Sequence, residues 1–165
     1  MGRTRGDDSD EGLFIALYPA LRRFAAAIRP VGIDADDLVQ EALTRTLARR
    51  SLASIEEPLA FVRTVIVRIA ANHARGRRRA DARWARAGVP DSETADAYPS
   101  DLTDLMRVPP RARAVLFLTV LEDRSFADAA AVVGCTEAAA RQLSSRALRA
   151  LRKELGVEVR NGDRA

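Results

Sequence analysis

Apolar residues in this chain recur every three or four positions, and no segment alternates apolar with polar residues over a useful length. A strand sends successive side chains to opposite faces, whereas a helix gathers positions i, i+3, i+4 and i+7 into one stripe, so the pattern favours helices throughout. Leu13, Leu17, Leu21, Phe24 and Ile28 form the first stripe, interrupted by Pro19, which predicts a kink or a division of that helix. A second helix follows Gly32, with Asp34 as its cap and Asp36 and Asp37 at the positive end of its dipole. Its buried stripe is read as Leu38, Ala42, Leu43 and Leu47. Pro58 opens a third, turning Leu59, Val62, Val65, Ile66 and Ile69 inward.

Charge divides the chain more sharply than hydropathy does. Residues 63–86 hold eight arginines and Asp81, a net of +7, and residues 141–153 hold four arginines and Lys153 with no acid. Between them, "DSETADAYPSDLTD" (91–104) carries five acids and no base. The total of +4 therefore hides two strongly basic blocks, each able to raise a local potential suited to a polyanion, although a run of arginines is often only solvated surface. Of the 27 basic residues only Lys153 is lysine, so the placement of charge says more than the choice of arginine.

The acidic stretch is too polar to pack and contains Gly88, Pro90 and Pro99, so it reads as a linker. The expected fold is all-α: two small helical domains joined by a flexible acidic linker, the C-terminal one a helix-turn-helix. The expected boundaries are a disordered N-terminus over 1–10, an N-terminal domain over 11–87, the linker over 88–105, a C-terminal domain over 106–156 and a fraying tail over 157–165. Pro109 and Pro110 start the second domain with a helix that buries Val115, Leu116 and Val120. A short helix, Phe126 to Val133, then meets Gly134, a Thr136 cap and a long basic helix, which is the helix-turn-helix pattern. In that long helix Ala140, Leu143, Ala147 and Leu151 form the core face, and Arg141, Gln142, Ser145, Arg146, Arg149 and Arg152 lie opposite. Arginine and glutamine near the start of such a helix suit base edges, and the later cations suit phosphates. An ordinary amphipathic helix with a charged solvent face has the same periodicity.

Four segments in order resemble the extracytoplasmic-function sigma factors of bacterial RNA polymerase, over about residues 11–155. They are "LYPALRRFA", "DADDLVQEALTRTL", "PLAFVRTVIVRIAANHARGRRR" and the C-terminal run from "VPPRARAVLF" to "LRALRKEL". The resemblance implies that Asp37, Gln40 and Glu41 dock on the polymerase; without it, the acids merely favour a helix start and Glu41 pairs with Arg45. It implies a −10 surface made of Arg68, Asn72, Arg75, Arg77, Arg78 and Arg79, holding a displaced DNA strand. It places the pocket for a flipped base at the loop of residues 50–58, and makes Arg141, Gln142, Ser145, Arg146 and Arg149 the −35 readers. The implied partners are core RNA polymerase, promoter DNA and an anti-sigma factor, with no cofactor, no membrane insertion, a monomeric free state and a nucleoid-associated, cytoplasmic location.

The chain departs from the family in places. The 50–58 loop has no aromatic residue, Phe61 stands where many members have Trp, and Ala140 stands where a β-branched residue is common. Gly76 replaces a frequent Asp and predicts an end or bend of the reading helix. One Cys and one His provide neither a disulfide nor a zinc site, and no catalytic triad, supported carboxylate pair or phosphate loop is present. Cys135 reads as a buried turn residue, His73 as packed or exposed, and Trp84 as a base-stacking ring or an anchor for the helix end. The rival functions are a stand-alone helix-turn-helix regulator, lacking a visible dimerisation seam, and a helical adaptor without DNA affinity.

Overall fold

The structure, a computed structural model, describes residues 4–86 and 108–154, and every regular element among them is helical. Helix α1 (Thr4–Ile28) starts several turns before the first apolar position, so residues 4–10, expected to be disordered, begin it. It also runs undivided through Pro19, whose side chain faces solvent. The bond that Pro19 cannot donate is outweighed by the packing of Leu21, Phe24 and Ile28, all fully buried.

Helix α2 (Ala35–Leu47) is capped by Asp34, whose carboxylate accepts from the Asp36 amide at 2.8 Å. Its buried stripe ends differently from the sequence expectation. Leu47 is 48% exposed, and Thr46 takes the buried place by returning its hydroxyl to the Ala42 carbonyl at 2.8 Å. A 3₁₀ turn (Leu52–Ser54), pinned by buried Leu52, leads to α3 (Pro58–Arg86). This helix does not end at Gly76, one of the two outcomes expected there, because glycine's cost of roughly 1 kcal/mol is small against 29 residues of continuous helix. Trp84, near the end of α3, is 59% exposed.

Helix α4 (Pro110–Leu116) continues into a π-helical turn (Phe117–Leu121) closed by the Glu122 amide on the Phe117 carbonyl. The wider turn carries one extra residue and breaks the helical phase, so Val120, expected inside, is 64% exposed. Helix α5 (Phe126–Val133) opens with a reciprocal capping box between Ser125 and Asp128 and ends at Gly134, where φ is 72°. Thr136 then caps α6 (Glu137–Glu154) by accepting from the Ala139 amide.

The two helical modules are present, but they are not held apart. Leu21, Phe24, Ile28, Leu38 and Ile66 share one buried cluster with Val115, Leu118, Ala130 and Val133 from the C-terminal half. Phe24 meets Phe117 edge to face, with ring centroids 5.4 Å apart. Arg63 crosses from α3 to Glu122 in a two-pronged pair of 2.8 and 2.6 Å and lies over the Phe24 ring. Arg113 of α4 donates to the Ala27 and Arg29 carbonyls at the end of α1, which an α-helix leaves without internal partners. Burial, reinforced by neighbouring Arg29, lowers the Arg113 pKa to about 10, so it stays cationic at neutral pH. The spacer expected over 88–105 lies outside the described residues.

Candidate nucleic-acid interface

Three solvent-facing surfaces remain once this core is assembled. On α2 the side chains of Asp37 and Gln40 point outward, while Glu41 is half-buried. Arg45 donates to Glu41 across one helical turn, and His73 Nε2 approaches the same carboxylate at 3.5 Å. Asp36 is turned away from this face: the Tyr18 hydroxyl donates to it, and Arg22 Nε follows at 2.9 Å. Hydrogen bonding from Tyr18 outweighs its desolvation, and with the Arg22 charge keeps the Asp36 carboxyl below its ordinary value. Two acids adjacent in sequence thus have different jobs, one internal and one outward.

The second surface follows α3. Arg68, Asn72, Arg75 and Arg79 are exposed and fall on one face by their spacing of three and four, with Arg78 beside them. Arg75 donates to the Asn72 side-chain oxygen, leaving the Asn72 amide NH₂ for another acceptor. Arg77 does not join the row. Its guanidinium donates to the Val31 carbonyl at 2.9 Å and ties α3 to the turn between α1 and α2.

Near the start of this row lies a cleft of about 490 Å³, lined by Arg45, Arg49, Arg50, Phe61, Val65 and Arg68. Arg50 sits over the Phe61 ring, 5.3 Å from its centroid. Phe61 therefore supplies the aromatic surface that the loop lacks. In the sequence Arg45 stands out only as the partner of Glu41 and Arg50 only as the first residue of the loop, and nothing there singles out Arg49 beyond the Arg49–Arg50 doublet at the end of a helix. A larger cleft, about 610 Å³, separates the beginning of α3 from the C-terminal half. Glu56, Glu57 and Asp128 line it together with Arg63 and Arg124, so it lacks the wholly cationic charge of the smaller cleft.

The third surface is α6. Ala140, Ser144 and Ala147 are buried, and Arg141, Gln142, Ser145, Arg146 and Arg149 face solvent, as their spacing predicts. Buried Ser144 was not foreseen. Arg141 is held in place by Glu137 at 2.6 Å and by the Phe126 ring, 4.6 Å from its guanidinium carbon. Cys135 is partly buried in the turn, and its amide bonds the Ala130 carbonyl. Among the described residues no group of His, Cys, Asp and Glu is placed to hold a metal, and no helix is long and apolar enough to cross a membrane.

Residues 13–80 match the family model Sigma-70 region 2, and residues 105–151 match Sigma-70, region 4. The RNA polymerase sigma-E factor of Streptomyces avermitilis is 32% identical over 141 residues, 82% of this chain and 79% of that protein. The chain is an extracytoplasmic-function sigma factor. The sigma factor RpoE, solved in complex with the anti-sigma factor NepR from Bartonella quintana, shares its fold. The TM-score is 0.62 at 23% identity, covering 90% of this chain and 97% of that one. As a sigma factor, the protein binds core RNA polymerase and directs promoter-specific initiation, a non-catalytic role, and the presence of both regions favours this over a stand-alone helix-turn-helix regulator.

Proposed function

We propose that the sigma factor divides promoter recognition among its three open faces. Asp37, Gln40 and Glu41 engage a basic surface of core polymerase through charge-assisted hydrogen bonds. Arg68, Asn72, Arg75, Arg78 and Arg79 hold the backbone of the displaced −10 strand, with Arg77 bracing the helix behind them. One extracted base enters the cleft of Arg50 and Phe61, where stacking offsets the few kcal/mol that flipping costs. Helix α6 lays Arg141, Gln142, Ser145, Arg146 and Arg149 into the −35 major groove.

The observation that carries this reading is the division of α6: its five reader positions are all exposed, while Ala140, Ser144 and Ala147 of the same helix are buried. The two units doing this work correspond to residues 11–87 and 106–156, tethered by the acidic segment 88–105, whose charge of −5 over 91–104 suits a path through a nucleic-acid channel. The free protein is a monomer in the cytoplasm and joins the nucleoid with polymerase. The solved relative was captured with an anti-sigma factor, which supports an inhibitor of that kind here, covering the polymerase-binding face.

Run-off transcription with core polymerase on genomic promoter fragments tests the reading. Defined start sites are expected, and Arg146→Ala should weaken −35 binding while reducing the slope of affinity against salt by about one if it contacts a phosphate. Failure to direct any start site with inhibitor-free protein overturns it.

A further inference from the structure

Near its start α1 reaches the loop beside the cationic cleft, through a residue given no polymerase or DNA role above. Asp10 Oδ1 accepts from the Ser51 hydroxyl at 2.7 Å and from the Ala53 amide at 2.9 Å, bridging more than 40 residues of sequence. Ser51 stands at the N-cap of the 3₁₀ turn, yet its side chain makes no capping bond there: its hydroxyl donates to Asp10, and Asp10 itself takes the Ala53 amide. The cap is therefore supplied from another helix: one carboxylate oxygen satisfies a turn amide and fixes the serine that precedes it. From the opposite side, Leu52 is 1% exposed and locks the turn into the core. Arg50 adjoins this clamped segment and places its guanidinium over Phe61.

We propose that Asp10 is a positioning residue for base capture: it holds Ser51–Ala53, and through them sets the backbone from which Arg50 builds one wall of the cleft. This rests on the reading that the cleft of Arg50 and Phe61 takes an extracted base. Asp10 does not line the cleft, so its influence passes through the loop. Desolvation works to raise its carboxyl, but the Ala53 amide, the Ser51 hydroxyl and the Leu52 amide together prevail and hold it below the ordinary 3.8. It is thus ionised at neutral pH and is a stronger acceptor for both donors.

The test uses holoenzyme reconstituted from core polymerase and the full chain, with a non-template −10 strand taken from a promoter found by run-off transcription. Each variant is measured on the intact strand and on strands made abasic at single −10 positions. Asp10→Ala should bind the intact strand about fivefold more weakly, as expected for losing a cap, and match the wild type on the strand lacking the captured base. Asp10→Asn, which keeps an acceptor oxygen for Ser51 and Ala53, should restore most of the loss, and Ser51→Ala should reproduce a milder form of it. Equal weakening on intact and abasic strands means a merely structural role and overturns the proposal, as does wild-type behaviour of Asp10→Ala. Phe61→Ala and Arg50→Ala separate the two ideas. If neither alters the preference for the intact strand, the cleft reading itself is wrong; if both do and Asp10→Ala does not, only the role of Asp10 falls.

Discussion

Tyr18 and Arg22 divert Asp36 from the acidic start of α2, and that single diversion determines which carboxylates there stay open to solvent. The sequence shows Asp36 and Asp37 side by side and gives no reason to distinguish them. The distinction comes from a tyrosine 18 positions earlier, brought alongside by the packing of α1 on α2. Its electrostatic consequence is measurable. The hydrogen bond to Asp36, helped by desolvation, raises the Tyr18 phenol above its ordinary 10.0. In a Tyr98→Phe background, ultraviolet titration of Tyr18 should give a midpoint above 10.0, and Asp36→Asn should bring it back toward that value. The carboxyl partner is depressed below 3.8, so what it adds to stability is fully present above that pH and lost as pH falls through its lower folded value. Wild type and Asp36→Asn should therefore differ in melting temperature by a constant amount at neutral pH and converge only below pH 3.8.

Helix by helix, the caps and stripes were legible and the phase errors were not. Asp34, Thr136, the Phe126–Val133 helix and the stop at Gly134 all follow from side-chain chemistry acting within one turn, which needs no distant partner. Leu47 and Val120 fall on the opposite side from the one expected, and Pro19 and Gly76 do not divide their helices, because each outcome depends on what packs against the helix or on a local departure from the α repeat. The two informative glycines should respond in opposite directions to alanine. At Gly76 an added Cβ meets nothing within 4 Å and φ is not positive, so Gly76→Ala should stabilise by about 0.5–1 kcal/mol. At Gly134 the contact with Arg111 at 3.8 Å is ordinary, but φ of 72° is left-handed, so Gly134→Ala should destabilise by roughly 1–2 kcal/mol. Urea unfolding of both variants reads the two signs, and shifts in the same direction would contradict the conformational account.

As one assembled body, the sigma factor packs its two modules on a common core and still leaves the arginines proposed to read DNA outside. Among the described arginines only Arg63 and Arg113 are buried, and both serve the joint between modules. Arg63 keeps one nitrogen, Nε, without a hydrogen-bond partner even with Glu122 in place, so its burial depends heavily on that carboxylate. Removing one member of such a pair strands the other charge, at a cost of about 3–5 kcal/mol when fully buried and less here, where Glu122 is 24% exposed. Glu122→Ala should therefore loosen the joint, increasing the radius of gyration in small-angle scattering and speeding hydrogen exchange in α4. An unchanged radius together with unchanged exchange would show that apolar packing alone holds the modules together.

Local order was readable along the chain because helix periodicity, capping and the helix-turn-helix punctuation act over three or four residues, and α6 kept every outward position assigned to it. The arginine-lined cleft, the Asp10 clamp and the common core were not readable, since each joins residues that become neighbours only after helices pack. Charge along a sequence tells how strongly a segment can attract a polyanion. Burial and pairing, which belong to the folded arrangement, select the arginines left free to do so: Arg68 and Arg146 face solvent, whereas Arg63 and Arg113, of the same chemistry, are spent inside.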